Sequence, residues 1–219
     1  LFLCMGADTV TAAIESGLVP VELFVALREE GEKPLGTIDP DMLRLSFPGS
    51  LEVESGLLAK VTGMVHAPNV IGIFRRADLP RAGSSEPCER NIALWRVADP
   101  GNVGTILRSA DALGPCAVFL SRGCGDPTGP KAVRAAAGAL TRVPLGNFDE
   151  APRPWFALVP QAGDVLRAGI GRGTFVCGAE RAGLPPDVLA RCDRVVRIPT
   201  EVGAESLNVS IAAAIALHV

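Results

Sequence analysis

Three polar, glycine-rich stretches hold the side chains that folding alone does not account for: DPGNVGTILRSADALG at 99–114, FVCGAERAGLP at 175–185 and RIPTEVGAESLNVSIAAAI at 197–215. Between them they carry Asn102, Arg108, Glu180, Ser206 and Asn208. Two amides and a hydroxyl can both donate and accept, a guanidinium grips anions, and a carboxylate accepts protons or holds a cation. Singly, each has a plain structural use. Asp99 to Asn102 reads as a turn and helix cap, Glu180 as a solvated loop carboxylate and Asn208 as an early-turn helix residue. Ser206, with no histidine nearby in sequence, reads as a capping serine rather than a nucleophile. Jointly, on three loops that each follow a strand, they point to one shared site, because an open α/β sheet binds ligands beyond the carboxyl ends of its strands.

Several other chemistries are disfavoured. The alternating glycines of AGIGRGTF precede a strand where a dinucleotide fingerprint must follow one, and there is no GxxxxGK[ST] or GxSxG. Six dispersed cysteines without a CxxC pair, and only His66 and His218, give no metal-ligand cluster. Such thiols fit a reducing compartment, the cytoplasm or an organellar matrix. SRGCGDPTGP lies between a strand and a helix, and reads as a connecting loop before it reads as a phosphate cradle.

The elements that must position these loops follow from periodicity. NIALWRV, AVFL, WFALV, TFVC and RVVRI read as strands, alternating with helices near 102–113, 130–140, 186–191 and 205–218. That alternation predicts an α/β domain at 91–219 with a mostly parallel sheet covered by helices. In the first helix Val103, Ile106, Leu107, Ala110 and Leu113 share one face, with Arg108 roughly opposite. In the second, Ala132, Val133, Ala136, Ala137 and Leu140 oppose Lys131, Arg134 and Gly138, and with Arg142 nearby this presents a basic stripe, a candidate RNA-binding face together with Arg108. The last helix is apolar almost all round, as in a buried or subunit-interface helix. Upstream, DTVTAAIESG and ESGLLAKVTG read as helices and VELFVAL and NVIGIFRR as strands of a small α/β unit at 1–80, with a linker at 81–90 inside ADLPRAGSSEPCER.

Composition sets the outer bounds. With 219 residues, 48% apolar and 21% charged, the chain is a globular one. No apolar run approaches the ~18 residues of a membrane span, and LFLCMGADTV lacks the features of a secretory signal. The absence of Tyr and the low aromatic content, 5%, disfavour recognition by stacked aromatic platforms. The net charge of −3 hides an asymmetry: residues 1–80 hold 6 Lys or Arg against 11 Asp or Glu, whereas 81–219 hold 15 against 13. A local basic face on an acidic protein is compatible with RNA.

The three stretches, in this order, resemble the three motifs of the SpoU (TrmH) family of RNA 2′-O-ribose methyltransferases. PGNVGTILRSADALG is similar to the first, GAERAGLP to the second and IPTEVGAESLNVSIAAA to the third, with DPTGPKAVRAAAGALTRVPL between them also similar. The resemblance covers roughly 91–219. More weakly, residues 1–80, GLLAKVTGMVHAPNVIGIF above all, resemble the small substrate-binding domain that large-subunit rRNA members carry in front. It implies a SPOUT fold with a C-terminal trefoil knot, a homodimer, and S-adenosyl-L-methionine bound at Gly178, Ala179, Glu180, Gly183, Ile198, Pro199, Leu207 and Asn208. It also implies functional roles for Asn102, Arg108, Glu180, Ser206 and Asn208, and no metal. Two features depart from the family pattern: 146–174 is short and lacks a helix, and bulky Arg181 follows Glu180.

The chemistry so implied is constrained. A protonated ribose hydroxyl is a poor nucleophile and a sulfonium methyl a good electrophile, so alignment and removal of one proton suffice. No motif contains histidine. The resemblance implies Arg108 as the base, a role that the high pKa of arginine in general opposes, or Arg108 is instead a phosphate clamp that orients the ribose. Ribosomal RNA is the expected substrate, with tRNA as the alternative. Two other classes compete: a catalytically idle RNA-binding or ribosome-assembly factor of the same fold, and a nucleotide-binding oxidoreductase.

Overall fold

The computed structural model describes residues 1–27, 40–64, 67–83, 88–201, 203 and 205–219; His66 lies outside them. In chain order the elements are β1 (Phe2–Met5), α1 (Ala7–Glu15), β2 (Glu22–Ala26), α2 (Pro40–Ser46), β3 (Leu51–Val53), α3 (Ser55–Thr62), β4 (Val70–Phe74), β5 (Arg90–Leu94), α4 (Pro100–Leu113), β6 (Val118–Leu120), α5 (Pro130–Ala136), β7 (Leu145–Asn147), β8 (Trp155–Leu158), β9 (Asp164–Val165), β10 (Gly173–Cys177), α6 (Pro186–Leu189), β11 (Arg194–Arg197) and α7 (Val209–His218). They form a four-stranded mixed sheet, β1-β4-β2-β3, and a seven-stranded sheet, β7-β6-β5-β10-β8-β11-β9. Every pairing in the larger sheet is parallel. The expectation of a mostly parallel sheet is thus met in full. Among the described residues no helix is long and apolar enough to cross a membrane.

Alternation along β5 shows how the larger sheet is covered. Ile92 and Leu94 join a core shared with α4, α5 and α7, whereas Ala93 joins a second core with Phe119, Phe148, Trp155 and Val188 on the other face. In that second core Phe148 meets Trp95 and Trp155 edge-on at 5.0 and 5.2 Å. The first core runs without a break into Phe2, Cys4, Val10 and Val25 of the small sheet. The two sheets therefore share buried surface, and Arg76 adds an ion pair across to Asp126 at 2.8 Å.

Three sequence expectations need correction. Leu113 is 40% exposed, because past buried Ala110 the end of α4, with the residues up to Pro115, is exposed throughout. The helix expected over 130–140 stops at Ala136: Ala137 and Gly138 both have positive φ (48° and 89°), and a 3₁₀ turn follows at Ala139–Thr141. This reversal exposes Ala137 and buries Gly138, where an added Cβ would sit 2.8 Å from that of Ala12. The last helix starts at Val209, not near 205. Within the expected linker, Ala82 donates to Leu145 O and Leu145 donates to Pro80 O, so this stretch pairs with the edge strand β7, whose backbone groups need partners. The 146–174 region lacks a helix, as anticipated, holding only a 3₁₀ turn at Phe148–Glu150 and short strands.

Candidate active site

Because the larger sheet is parallel, the loops after β5, β8, β10 and β11 all leave from one edge, and the strand order sets them side by side. Those after β8, β10 and β11 enclose a cleft of about 440 Å³ lined by Leu158–Pro160, Cys177–Gly183, Ile198, Thr200, Ser206–Val209 and Ala212. Its lining mixes apolar side chains with Glu180, Arg181, Thr200, Ser206 and Asn208. Burial pushes the Cys177 thiol up to about 12, so it is an inert floor group.

Local sequence explains how each loop holds its shape. Asp99 caps α4 by accepting the Gly101 N–H at 2.7 Å, with Pro100 preset at the first helical position. Lys131 donates to the same Asp99 oxygen at 2.7 Å, and this bond, followed by that from Gly101, holds the Asp99 carboxyl below its usual range. The 178–183 loop closes on itself through reciprocal Ala179–Gly183 backbone bonds of 3.2 and 2.8 Å. Gly178 is obligatory there, since a Cβ would lie 2.3 Å from the Gly183 carbonyl carbon. Asn208 caps α7, accepting from Ser210 N at 2.8 Å and Ser210 Oγ at 2.6 Å.

The three loops are then tied by a line of side chains. Asn102 Nδ2 donates to Glu180 Oε1 at 3.0 Å, and Asn208 Nδ2 donates to Asn102 Oδ1 at 3.1 Å. Glu180 also accepts the backbone N–H groups of Ala98 and Asp99, each at 3.3 Å. Burial alone would raise the Glu180 carboxyl; the hydrogen bonds from Asn102 and from backbone N–H groups outweigh it, and its pKa lies below the ordinary value. A fixed anion therefore stands at the cleft with its amide partners already oriented.

Of the residues singled out from sequence, Gly178, Ala179, Glu180, Gly183, Ile198, Ser206, Leu207 and Asn208 line the cleft. Asn102 reaches it through Glu180 and Asn208. Pro199 does not line it: Ile198 and Thr200 do, as alternation in an extended chain requires. Ser206 lies before α7 and is not its cap; Asn208 is. Arg108, six residues past Asn102 and so ~9 Å further along the helix axis, is exposed and away from the cleft of its own chain. Arg134 is likewise exposed, Lys131 pairs with Asp99, and Arg142 is engaged with Asp111 by both Nε and Nη2. Sequence reasoning missed Leu158–Pro160, which close the cleft from β8. Their one signal was the strand WFALV ending on a proline; the placement of β8 between β10 and β11 has none.

Comparison with known proteins bears on this arrangement. The model of the SpoU rRNA Methylase family matches residues 89–218. An uncharacterized tRNA/rRNA methyltransferase of Synechocystis sp. is 35% identical over 208 residues, spanning 89% of this chain and 74% of its own length. Among solved structures, an AdoMet-bound rRNA methyltransferase from Sinorhizobium meliloti is 27% identical with a TM-score of 0.77, covering 99% of this chain and 85% of that one. An RNA 2′-O ribose methyltransferase is 25% identical with a TM-score of 0.77 over 99% of this chain and 86% of its own. With its motifs drawn to one cleft edge and its whole methylase region matched, the chain belongs to the SpoU rRNA Methylase family.

Proposed function

We propose that this chain transfers a methyl group from S-adenosyl-L-methionine to a ribose 2′-hydroxyl of structured RNA, large-subunit rRNA in particular, and works as a homodimer. The observation that carries this is the Glu180–Asn102–Asn208 line along a cleft built from motif loops. The donor set suits the cofactor: Leu158, Ile198, Leu207 and Ala212 give apolar wall, the loop backbone offers donors and acceptors, and the ionised Glu180 suits a cationic ligand. Bound there, the cofactor supplies an electrophilic methyl group.

The chain's own residues do the rest by positioning. Asn102 fixes Glu180 on one side and Asn208 on the other, so the second and third motif loops keep one spacing. Glu180 has its oxygens committed to three N–H donors, which makes it an organiser of the loops rather than a free base. Arg108 clamps an RNA phosphate and orients the ribose, as its planar fork favours. Since it lies outside its own cleft, it acts through RNA or at the cleft of a second copy. The exposed apolar side chains Ile211 (53%) and Leu207 (37%) beside that cleft support a second copy covering them.

The test is transfer of labelled methyl groups to deproteinised rRNA and to tRNA, followed by mapping of alkali-resistant linkages. Modified rRNA is the expected result; modified tRNA alone would replace the substrate, and no transfer to either would leave the idle RNA-binding factor. Arg108→Ala should abolish transfer while calorimetric affinity for the cofactor stays within about twofold. Equal loss of both would make Arg108 structural.

A further inference from the structure

Arg96 is an anomaly that neither the fold nor the cleft explains. It follows β5 with φ 53°, a left-handed conformation that residues other than glycine rarely adopt. The surrounding bonds impose it. Arg96 N donates to Ser121 Oγ at 2.9 Å, Ser121 N to Leu94 O at 3.0 Å and Gly125 N to Val97 O at 2.9 Å, locking the loop after β5 onto the loop after β6. A glycine would take this backbone without strain, yet the position holds an arginine.

Its side chain passes close over Gly123. Gly123, itself at φ 89°, forms a shelf beneath it: a Cβ there would lie 3.4 Å from Arg96 Nε and 3.7 Å from its Cγ. The guanidinium is exposed and has no hydrogen bond or ion pair among the described residues. Arg122, next to the shelf, is also exposed and unpaired among them. The acid in this loop, Asp126, is neutralised by Arg76 and by the amide and hydroxyl of Thr128. Positive charge is left over here, as it is at exposed Arg108 and Arg134, whereas Arg142, Arg153, Arg172, Arg191 and Arg194 have carboxylate partners.

The geometry points to a phosphate-binding site for the RNA substrate, formed by Arg96 on its Gly123 shelf together with Arg122. Strained residues held by over-determined surroundings concentrate where function needs them. A planar guanidinium presents its donors as a fixed fork and so loses less entropy per hydrogen bond on gripping a phosphate than an ammonium does. The site is adjacent to the chemistry: Arg96 is two residues from Ala98, whose N–H donates to Glu180, so about 7 Å of chain separates the two. A phosphate held there belongs to the strand entering the cleft. This rests on the RNA substrate proposed above, and extends the basic face to loops outside the motifs.

The test is filter binding of labelled deproteinised rRNA to wild type, Arg96→Gly and Arg96→Lys across a salt series, with calorimetry of S-adenosyl-L-methionine and thermal melting in parallel. Loss of one phosphate contact lowers the log–log salt slope by about 0.7 to 0.9, or about five- to eightfold in affinity at ~0.1 M salt. Arg96→Gly should show that loss while its melting temperature holds or rises and cofactor affinity is unchanged; Arg96→Lys should recover much of the slope. An Arg96→Gly protein with wild-type affinity and slope overturns the site and leaves the functional reading standing. A wild-type protein that binds cofactor but no RNA overturns both.

Discussion

Replacing Asn102 by alanine tests whether the motif loops are coupled through side chains. The substitution removes the 3.0 Å bond to Glu180 and the 3.1 Å bond from Asn208. A net hydrogen bond is worth about 0.5–1.5 kcal/mol and more toward a charged group, but these groups reach solvent, so values near the low end apply. Taking about 1 kcal/mol for the bond to the carboxylate and about 0.5 for the other gives ~1.5 kcal/mol, or roughly tenfold in affinity. The α4 cap is untouched, since Asp99 supplies it, so the melting temperature should move by little. Calorimetric titration with S-adenosyl-L-methionine at ~0.15 M salt should therefore show about tenfold weaker binding by a folded protein. Glu180→Gln alone and in the double variant completes a cycle that must be non-additive, because both residues belong to one network. An Asn102→Ala affinity within twofold of wild type, or strict additivity in the cycle, would refute the coupling.

Further outcomes follow from the same geometry. Gly178→Ala should cost cofactor binding more than Asn102→Ala does, because its Cβ meets backbone atoms at 2.3 and 2.5 Å that can yield only by opening the 178–183 loop; titration checks this. Gly104→Ala, whose Cβ would sit 2.3 Å from Ala132 O between α4 and α5, should lower stability by about 1–3 kcal/mol in denaturant unfolding. Acidification should weaken cofactor affinity in a defined window. The folded Glu180 pKa is below the ordinary 4.5, so its contribution is fully present above that value and is lost as pH falls through the depressed pKa. Affinity that is flat from neutrality to about pH 5 and then declines is the expected profile, and Glu180→Gln should remove the decline.

How much could be read from the chain alone differs from element to element. The strands of the larger sheet's centre and the buried face of α4 were legible because periods of 2 and 3.6 record which side faces a core. Val103, Ile106, Leu107 and Ala110 obeyed it and Leu113 did not, since periodicity is blind to where the packed layer ends. The break after Ala136 was invisible for a related reason: a run of alanines suits a helix, and what reverses it is the fit of Gly138 against Ala12 of α1. β7 and β9 are too short to leave a pattern, and owe their state to edges that needed partners.

The composition of the site belongs to the sequence: residue types and spacings at 99–114, 175–185 and 197–215 mark Asn102, Glu180 and Asn208 because amide and carboxylate chemistry is carried by the side chains themselves. Their convergence belongs to the tertiary structure. Insertion of β10 between β5 and β8, and of β8 between β10 and β11, brings residues 78 and 106 positions apart into hydrogen-bond contact, adds Leu158–Pro160 to the cleft and leaves Pro199 and Arg108 outside it. Strand order is a property of long-range pairing free energies summed over the whole sheet. No local stretch of sequence encodes that sum.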